Sequence, residues 1–186
     1  MAEARAGEMR IAHIGDIDVL LTPAWAVETI LLVLFFAAIG HYVFHHGLAS
    51  ALVGGVVVAL AHWVSEVVHD VGHNSAARST GHPMTGTRLG FLLVLGAWLY
   101  PADEPELPPE VHIRRALGGP AGSAVFTVII GILALVLADT SIGWMAMVWF
   151  LDNLLIFTLG AFLPLGFYDG STILHWMSKR GQRAGA

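Results

Sequence analysis

Apolar residues gather in four long blocks along this chain: Ala24 to Phe44, Ala49 to Val68, Ser123 to Ala138 and Ile142 to Leu163. Each approaches the ~20 residues that an α-helix needs to cross ~30 Å of hydrocarbon. The pattern predicts spans at about 24–44, 49–73, 120–138 and 142–163, the last with a broken continuation to 178. Leu89 to Tyr100 is apolar but too short to cross alone. The stretch Thr85 to Tyr100 opens with glycines and threonines and continues with β-favouring residues, which predicts a hairpin or re-entrant strand pair. Such backbone is tolerated at membrane depth only when its polar groups are buried in protein or face a wet cavity. PADEPELPPE after it reads as an acidic, proline-rich loop, and Ile11 to Leu21 alternates loosely enough to add a short strand. The expected fold class is all-α: a membrane protein of about four transmembrane helices, with a small membrane-associated β-strand or re-entrant region between the second and third. Residues 1–186 read as one domain.

Composition strengthens the membrane reading. The chain is 56% hydrophobic and 12% charged, about half the ~25% charge of ordinary soluble domains. A net charge of −5 without basic runs gives no footprint for nucleic acid. Cysteine is absent, so any metal must be held by imidazole and carboxylate. All nine Lys and Arg residues fall before the first span, between the second and third, or after the last. With four spans these segments share one side, and the positive-inside rule makes it, and both termini, cytoplasmic. A bacterial-type inner membrane suits so compact a plan. MAEARAGEMR lacks a clean basic region and small-residue cleavage site, so the first span reads as retained.

Ionisable residues inside a span are costly and call for an explanation. The second span carries His62, Glu66, His69 and His73 at spacings of four, three and four, one polar stripe on a helix, with Asp70 beside it. Within HDVGH, His69 and His73 stand at i and i+4, the spacing with which one helix grips a single Zn2+. Asp70 falls where a metalloprotease keeps its general base. Alone, such a pair is a weak signal that polar contacts between helices also explain. A catalytic zinc takes three protein ligands, and Asp169 is the candidate third. It lies 25 residues past Trp144, as His69 and His73 lie 21 and 25 past Leu48, so the depths match if the fourth helix loosens around Pro164 and Gly166.

HDVGHNSAARSTGHP resembles the HExxH stretch of the site-2 proteases, intramembrane zinc metalloproteases, together with its continuation. LGGPAGS (117–123) is similar to their Ala-Gly-Pro motif, and LPLGFYDG (163–170) to the Pro-rich LDG motif that carries their third ligand. HIGDIDVLLTPAWAVETILL resembles the family's N-terminal strand leading into its first helix. The likeness runs from about Arg10 to Met177 in the family's order. It implies His69, His73 and Asp169 as zinc ligands and Asp70 as catalytic acid/base. The implied substrate is a membrane protein with a single transmembrane helix in the lipid bilayer, unwound and held by strand addition near 85–100. Glu66, Pro164 and Gly170 are further candidates for supporting the ligands or meeting substrate, Glu66 by orienting a ligand imidazole.

Three positions depart from the family pattern. Asp70 replaces Glu and is one methylene shorter, ~1.5 Å of reach. Ala161 stands eight residues before Asp169, where the family has Asn; the nearest Asn is Asn153. Ser123 stands where Asn often follows the Gly-Pro. These changes keep open an alternative: a weak or inactive membrane scaffold or regulatory subunit that retains a zinc site. A redox reading, from Glu66-x-x-His69 as a di-iron motif or paired histidines as haem ligands, lacks the second motif and a facing His at matching depth. The other intramembrane acids, Glu28 and Asp152, read chiefly as interhelical partners, and the oligomeric state is not legible.

Overall fold

The computed structural model describes residues 4–92 and 95–184. Two strands, β1 (Met9–Ile14) and β2 (Ile17–Leu21), precede α1 (Ala24–Ala38), which ends in a π-helical turn, Ile39–Val43. Then come α2 (Leu48–Ser79), the hairpin β3 (Gly86–Leu92) and β4 (Leu95–Leu99), and α3 (Pro109–Leu137). The last apolar block begins as α4 (Gly143–Asp152), widens to a π-helix over Asn153–Leu159 and tightens to a 3-10 turn over Gly160–Phe162; α5 (Asp169–Ala184) follows. Four helical stretches are long and apolar enough to cross a membrane: Ala24–Val43, Leu48–Ser79, Pro109–Leu137 and Gly143–Phe162. The protein is an integral membrane protein, mostly helical with one small sheet.

Two helices reach beyond the expected spans. α2 runs on to Ser79 because NSAARS continues with helix-compatible residues. α3 starts at Pro109 rather than near 120, since a proline in the first turn needs no N–H partner and its φ suits a helix. The hairpin expected between the second and third spans is present, and the N-terminal segment forms two strands rather than one. All four strands make a single sheet in the order β1-β2-β3-β4. β1/β2 and β3/β4 are antiparallel, while β2 and β3 run parallel from Asp18↔Gly86 to Leu21↔Leu89.

Where it crosses the membrane the molecule turns large apolar side chains outward and keeps the ionisable residues of α2 inside. Val27, Ile30, Leu31 and Leu34 on α1 are exposed, as are Val125, Val128, Ile132 and Leu135 on α3, as lipid-facing positions require. α2 is central: half of its most apolar window is buried, against 22% for α1. Its apolar packing joins Val58, Ala59 and Trp63 to Leu32 and Phe36 of α1 and to Trp144 and Val148 of α4. α2 and α3 touch backbone to backbone. A Cβ on Gly118 would lie 2.5 Å from the Gly72 carbonyl oxygen and 2.6 Å from the Ala76 Cβ. Small residues permit this approach, and it sets the two site-bearing helices side by side.

Candidate metal centre

The buried half of α2 carries the site. His69, Asp70, His73 and Asn74 are all buried, as are His62, Ser65 and Glu66 one and two turns earlier. α3 crosses at this level and contributes Arg115, Gly119 and Ser123. The third part arrives from α5. The chain leaves helix at Leu163, which is extended (φ −68°, ψ 136°), turns through Gly166 at φ 84° and re-enters helix at Asp169. Pro164 is exposed within that unwound stretch. Gly170 packs where a Cβ would collide with the Phe162 carbonyl oxygen. Its observed role is to let α5 start tightly against the end of the fourth span.

These elements bring His69, His73 and Asp169 together, with one ligand atom from each within 4.8 Å of the others. His73 Nε2 lies 3.0 Å from His69 Nε2 and 3.3 Å from Asp169 Oδ1, while His69 Nε2 lies 3.2 Å from Asp169 Oδ2. Each ring is also held at its far nitrogen. His73 Nδ1 donates to the Arg115 carbonyl oxygen at 2.8 Å; a carbonyl can only accept, so this nitrogen carries a proton. The Gly119 N–H lies farther from it, at 3.3 Å. In the neutral ring His73 Nε2 then presents its lone pair toward the Asp169 carboxylate and His69. His69 Nδ1 meets Ser123 Oγ at 2.9 Å. Asp169 Oδ1 is buried with no hydrogen-bond donor of its own.

Acceptors converging in a buried space repel one another unless a proton or a cation lies between them. Tetrahedral zinc with ligands ~2.0–2.1 Å away sets its donor atoms ~3.3 Å apart, and two imidazoles with one carboxylate are an ordinary set for it. The spacing and chemistry of the three side chains fit that ion. Gly119 completes the fit, since a Cβ there would collide with Nε2 of both histidines.

The supporting residues differ from the sequence expectation in one respect. Glu66 does not orient a ligand imidazole; Ser123 serves His69 and the Arg115 carbonyl serves His73. Glu66 Oε1 instead accepts from the Gly96 N–H at 2.6 Å, tying α2 to β4. Asp70 accepts from Thr87 Oγ1 on β3. Asn153 lies on the π-helical turn, where it donates to the Ser123 carbonyl (3.0 Å) and to Thr127 Oγ1 (2.6 Å). It thus braces the residue that holds His69. Ala161 is buried and adds no polar group. Asp152 pairs with His62 Nδ1 at 3.0 Å, an interhelical contact of the kind expected. Ser123 was visible in the sequence as a departure within LGGPAGS; Gly96, Thr87 and the Arg115 carbonyl carried no sequence signal.

Arg115 also secures the acidic loop beside the centre. Its guanidinium pairs with Glu104, donates to the His82 carbonyl oxygen at 2.7 Å and lies 3.9 Å above the Tyr100 ring. The hydrogen bonds from Arg115 hold the Glu104 carboxyl below its ordinary value against the opposing effect of partial burial. Burial pushes the Tyr100 hydroxyl up to about 12.

A cleft of about 270 Å³ opens onto the centre, lined by Glu66, His69, Asp169, Trp98 and Tyr168 among others. A buried cluster of two histidines and one aspartate is thus set in a bundle of four membrane-length helices with an attached four-stranded sheet. The structure of the site-2 protease from Methanocaldococcus jannaschii is similar, with a TM-score of 0.62 over 93% of this chain and 72% of that one at 17% sequence identity. The protein has a site-2-protease-like fold. No protein-family model and no curated protein matches the sequence.

Proposed function

We propose that this protein is a zinc-dependent intramembrane endopeptidase that cleaves a membrane protein within or beside its single transmembrane helix. The observation that carries the reading is the convergence of His69, His73 and Asp169 on one buried point, beside a cleft, in a membrane protein whose fold resembles a site-2 protease. His69, His73 and Asp169 would hold the ion. Zinc in such a site supplies a Lewis acid that polarises a carbonyl and brings the pKa of water toward ~7.

The chain's own residues supply the rest. Ser123 and the Arg115 carbonyl hold both imidazoles with Nε2 inward. Trp98, whose ring centroid is 4.3 Å from that of His73, and Phe157, 5.9 Å from that of His69, wall the centre with apolar surface. The substrate enters unwound, because a helical carbonyl is already hydrogen-bonded and shielded, and lies along the sheet beside β4. A carboxylate on α2 takes the proton of the attacking water and returns it to the leaving amine; the family resemblance puts Asp70 in that role. The bilayer is the working medium, with both termini on the cytoplasmic side.

A second reading rests on Asp70. Its side chain is fully buried and engaged by Thr87, and it does not line the cleft. A zinc-retaining scaffold or regulatory subunit that no longer cuts accommodates this. The deciding experiment is proteolysis in detergent or liposomes, using metal-loaded protein and single-span membrane proteins that co-purify with it. Cleavage abolished by Asp169→Asn supports the endopeptidase. Undiminished zinc with no cleavage of any associated protein supports the scaffold.

A further inference from the structure

Two departures from the family motif meet in one cleft. Ala161 stands where the family has Asn, and Tyr168 stands where the LDG motif has Leu, directly before Asp169. Both line the cleft together with His69 and Asp169. One change takes an amide from the wall of the cleft, and the other adds a phenol. A tyrosine hydroxyl keeps its proton at neutral pH and donates a hydrogen bond.

The two walls define what that hydroxyl meets. Residues 96–98 of β4 form one side of the cleft and residues 166–169 contribute to the other. β4 is an edge strand of the sheet, with β3 as its neighbour. A peptide added to β4 turns alternate carbonyls toward that strand and the others away from it. A carbonyl paired with β4 is shielded from attack, so the scissile carbonyl belongs to the second set and faces residues 166–169. On that wall the Gly166 N–H is taken by Ser171 Oγ at 2.6 Å, and Phe167 has no polar side-chain atom. Tyr168 is the side-chain donor there. Its backbone is fixed, because its carbonyl oxygen accepts from the Ser171 N–H at 3.0 Å in the first turn of α5. Its Cα is one peptide step, ~3.8 Å, from that of Asp169, whose carboxylate meets both histidines. Two other donors line the cleft, Trp98 and Thr172. Trp98 lies on the strand side, its ring packed against His73, and Thr172 carries a short side chain one turn further along α5.

We propose that Tyr168 is a catalytic residue: its hydroxyl donates a hydrogen bond to the scissile carbonyl oxygen and holds it more tightly as that oxygen becomes anionic. This rests on the endopeptidase reading and leaves Asp70 in the acid/base role that the family resemblance gives it. A hydrogen bond to an oxygen gaining charge strengthens along the reaction, so its loss falls on kcat more than on KM.

The probe is a peptide phosphinate, whose tetrahedral oxygens mimic the oxyanion, measured beside the matching plain peptide. Zinc content, the Kd of each probe and cleavage of co-purifying single-span proteins are followed on the full-length chain. The variants are Tyr168→Phe, Tyr168→Phe with Ala161→Asn, and Thr172→Val. Tyr168→Phe is expected to keep one zinc per chain and hold the plain peptide within ~3-fold, yet bind the phosphinate at least ~10-fold more weakly and lose ~10²-fold of kcat. Adding Ala161→Asn returns a donor to the same cleft and is expected to recover at least ~10-fold of that loss. Thr172→Val is expected to keep the phosphinate Kd within ~3-fold. Phosphinate binding that is unchanged in Tyr168→Phe, or that falls in Thr172→Val instead, overturns the proposal and leaves the endopeptidase reading in place. Zinc lost from Tyr168→Phe overturns it too, because the tyrosine then serves only to hold Asp169. If the expected phosphinate pattern appears and nothing is cleaved, Tyr168 stands as the donor and the endopeptidase reading falls. A wild type that binds no phosphinate overturns both.

Discussion

Two buried histidine–aspartate contacts lie two turns apart on α2, and they solve the same problem differently. His62 Nδ1 faces both oxygens of Asp152, at 3.2 and 3.0 Å. One ring donates and one carboxylate accepts, so the pair is satisfied from within. At the other contact, Arg115 O takes the His73 proton on the far side of the ring, and two imidazoles converge with Asp169. What distinguishes them is how the imidazole meets the aspartate: His62 turns Nδ1 to Asp152, whereas His73 gives Nδ1 to a backbone carbonyl and turns Nε2 to Asp169. A lone pair on that inward nitrogen suits a cation; a proton shared between one ring and one carboxylate needs none. A histidine beside an aspartate in a membrane helix is therefore no metal site until its far nitrogen is accounted for.

The sharpest way to break this contrast is to crowd the metal-fitting contact alone. Gly119→Ala puts a methyl group against both Nε2 atoms. It should weaken zinc by more than the ~10–100-fold that loss of a supporting partner costs, read by competition with a chromogenic chelator. Ser123→Ala removes the support of His69 Nδ1 and should cost about that ~10–100-fold, with Ser123→Thr retaining most of the affinity. Asp152→Ala should leave zinc affinity unchanged and lower stability by ~1–3 kcal/mol, because a buried imidazole loses its acceptor. The last effect concerns the loop. Glu104 is held by Arg115 below its ordinary carboxyl value, so its contribution is present above its unfolded pKa and lost as pH falls through the folded one. Glu104→Gln leaves the buried Arg115 without its counter-charge, so it should lower stability at neutral pH by ~1–3 kcal/mol and flatten the acid limb of the melting-temperature profile.

Much of this was legible in the sequence for physical reasons. A polar stripe at spacings of four, three and four within an apolar block can exist only if it faces protein, so the burial of His62, Glu66, His69 and His73 follows from the membrane itself. The third acid could be placed by counting depth, because helical rise is fixed and two disrupting residues, Pro164 and Gly166, precede Asp169. The four spans and the hairpin between the second and third were legible from block length and from glycine and threonine content. What stayed hidden was long-range pairing and backbone chemistry. The parallel union of β2 with β3 joins residues more than sixty positions apart and leaves no local trace. The acceptor that sets the His73 proton is a main-chain carbonyl, invisible in a side-chain pattern. Glu66 was legible as a stripe residue, but not its partner, since an N–H at Gly96 looks like any other until β4 is placed against α2.

The central claim is that His69, His73 and Asp169 hold one zinc ion while the neighbouring His62–Asp152 pair holds none. It is tested most directly by metal analysis of protein purified in mild detergent and reconstituted with zinc, comparing wild type with His69→Ala, His73→Ala, Asp169→Asn and His62→Ala. The account predicts one zinc per chain in wild type and in His62→Ala, and loss of that zinc in each of the other three. Zinc that survives Asp169→Asn and His73→Ala, or that disappears only with His62→Ala, contradicts it.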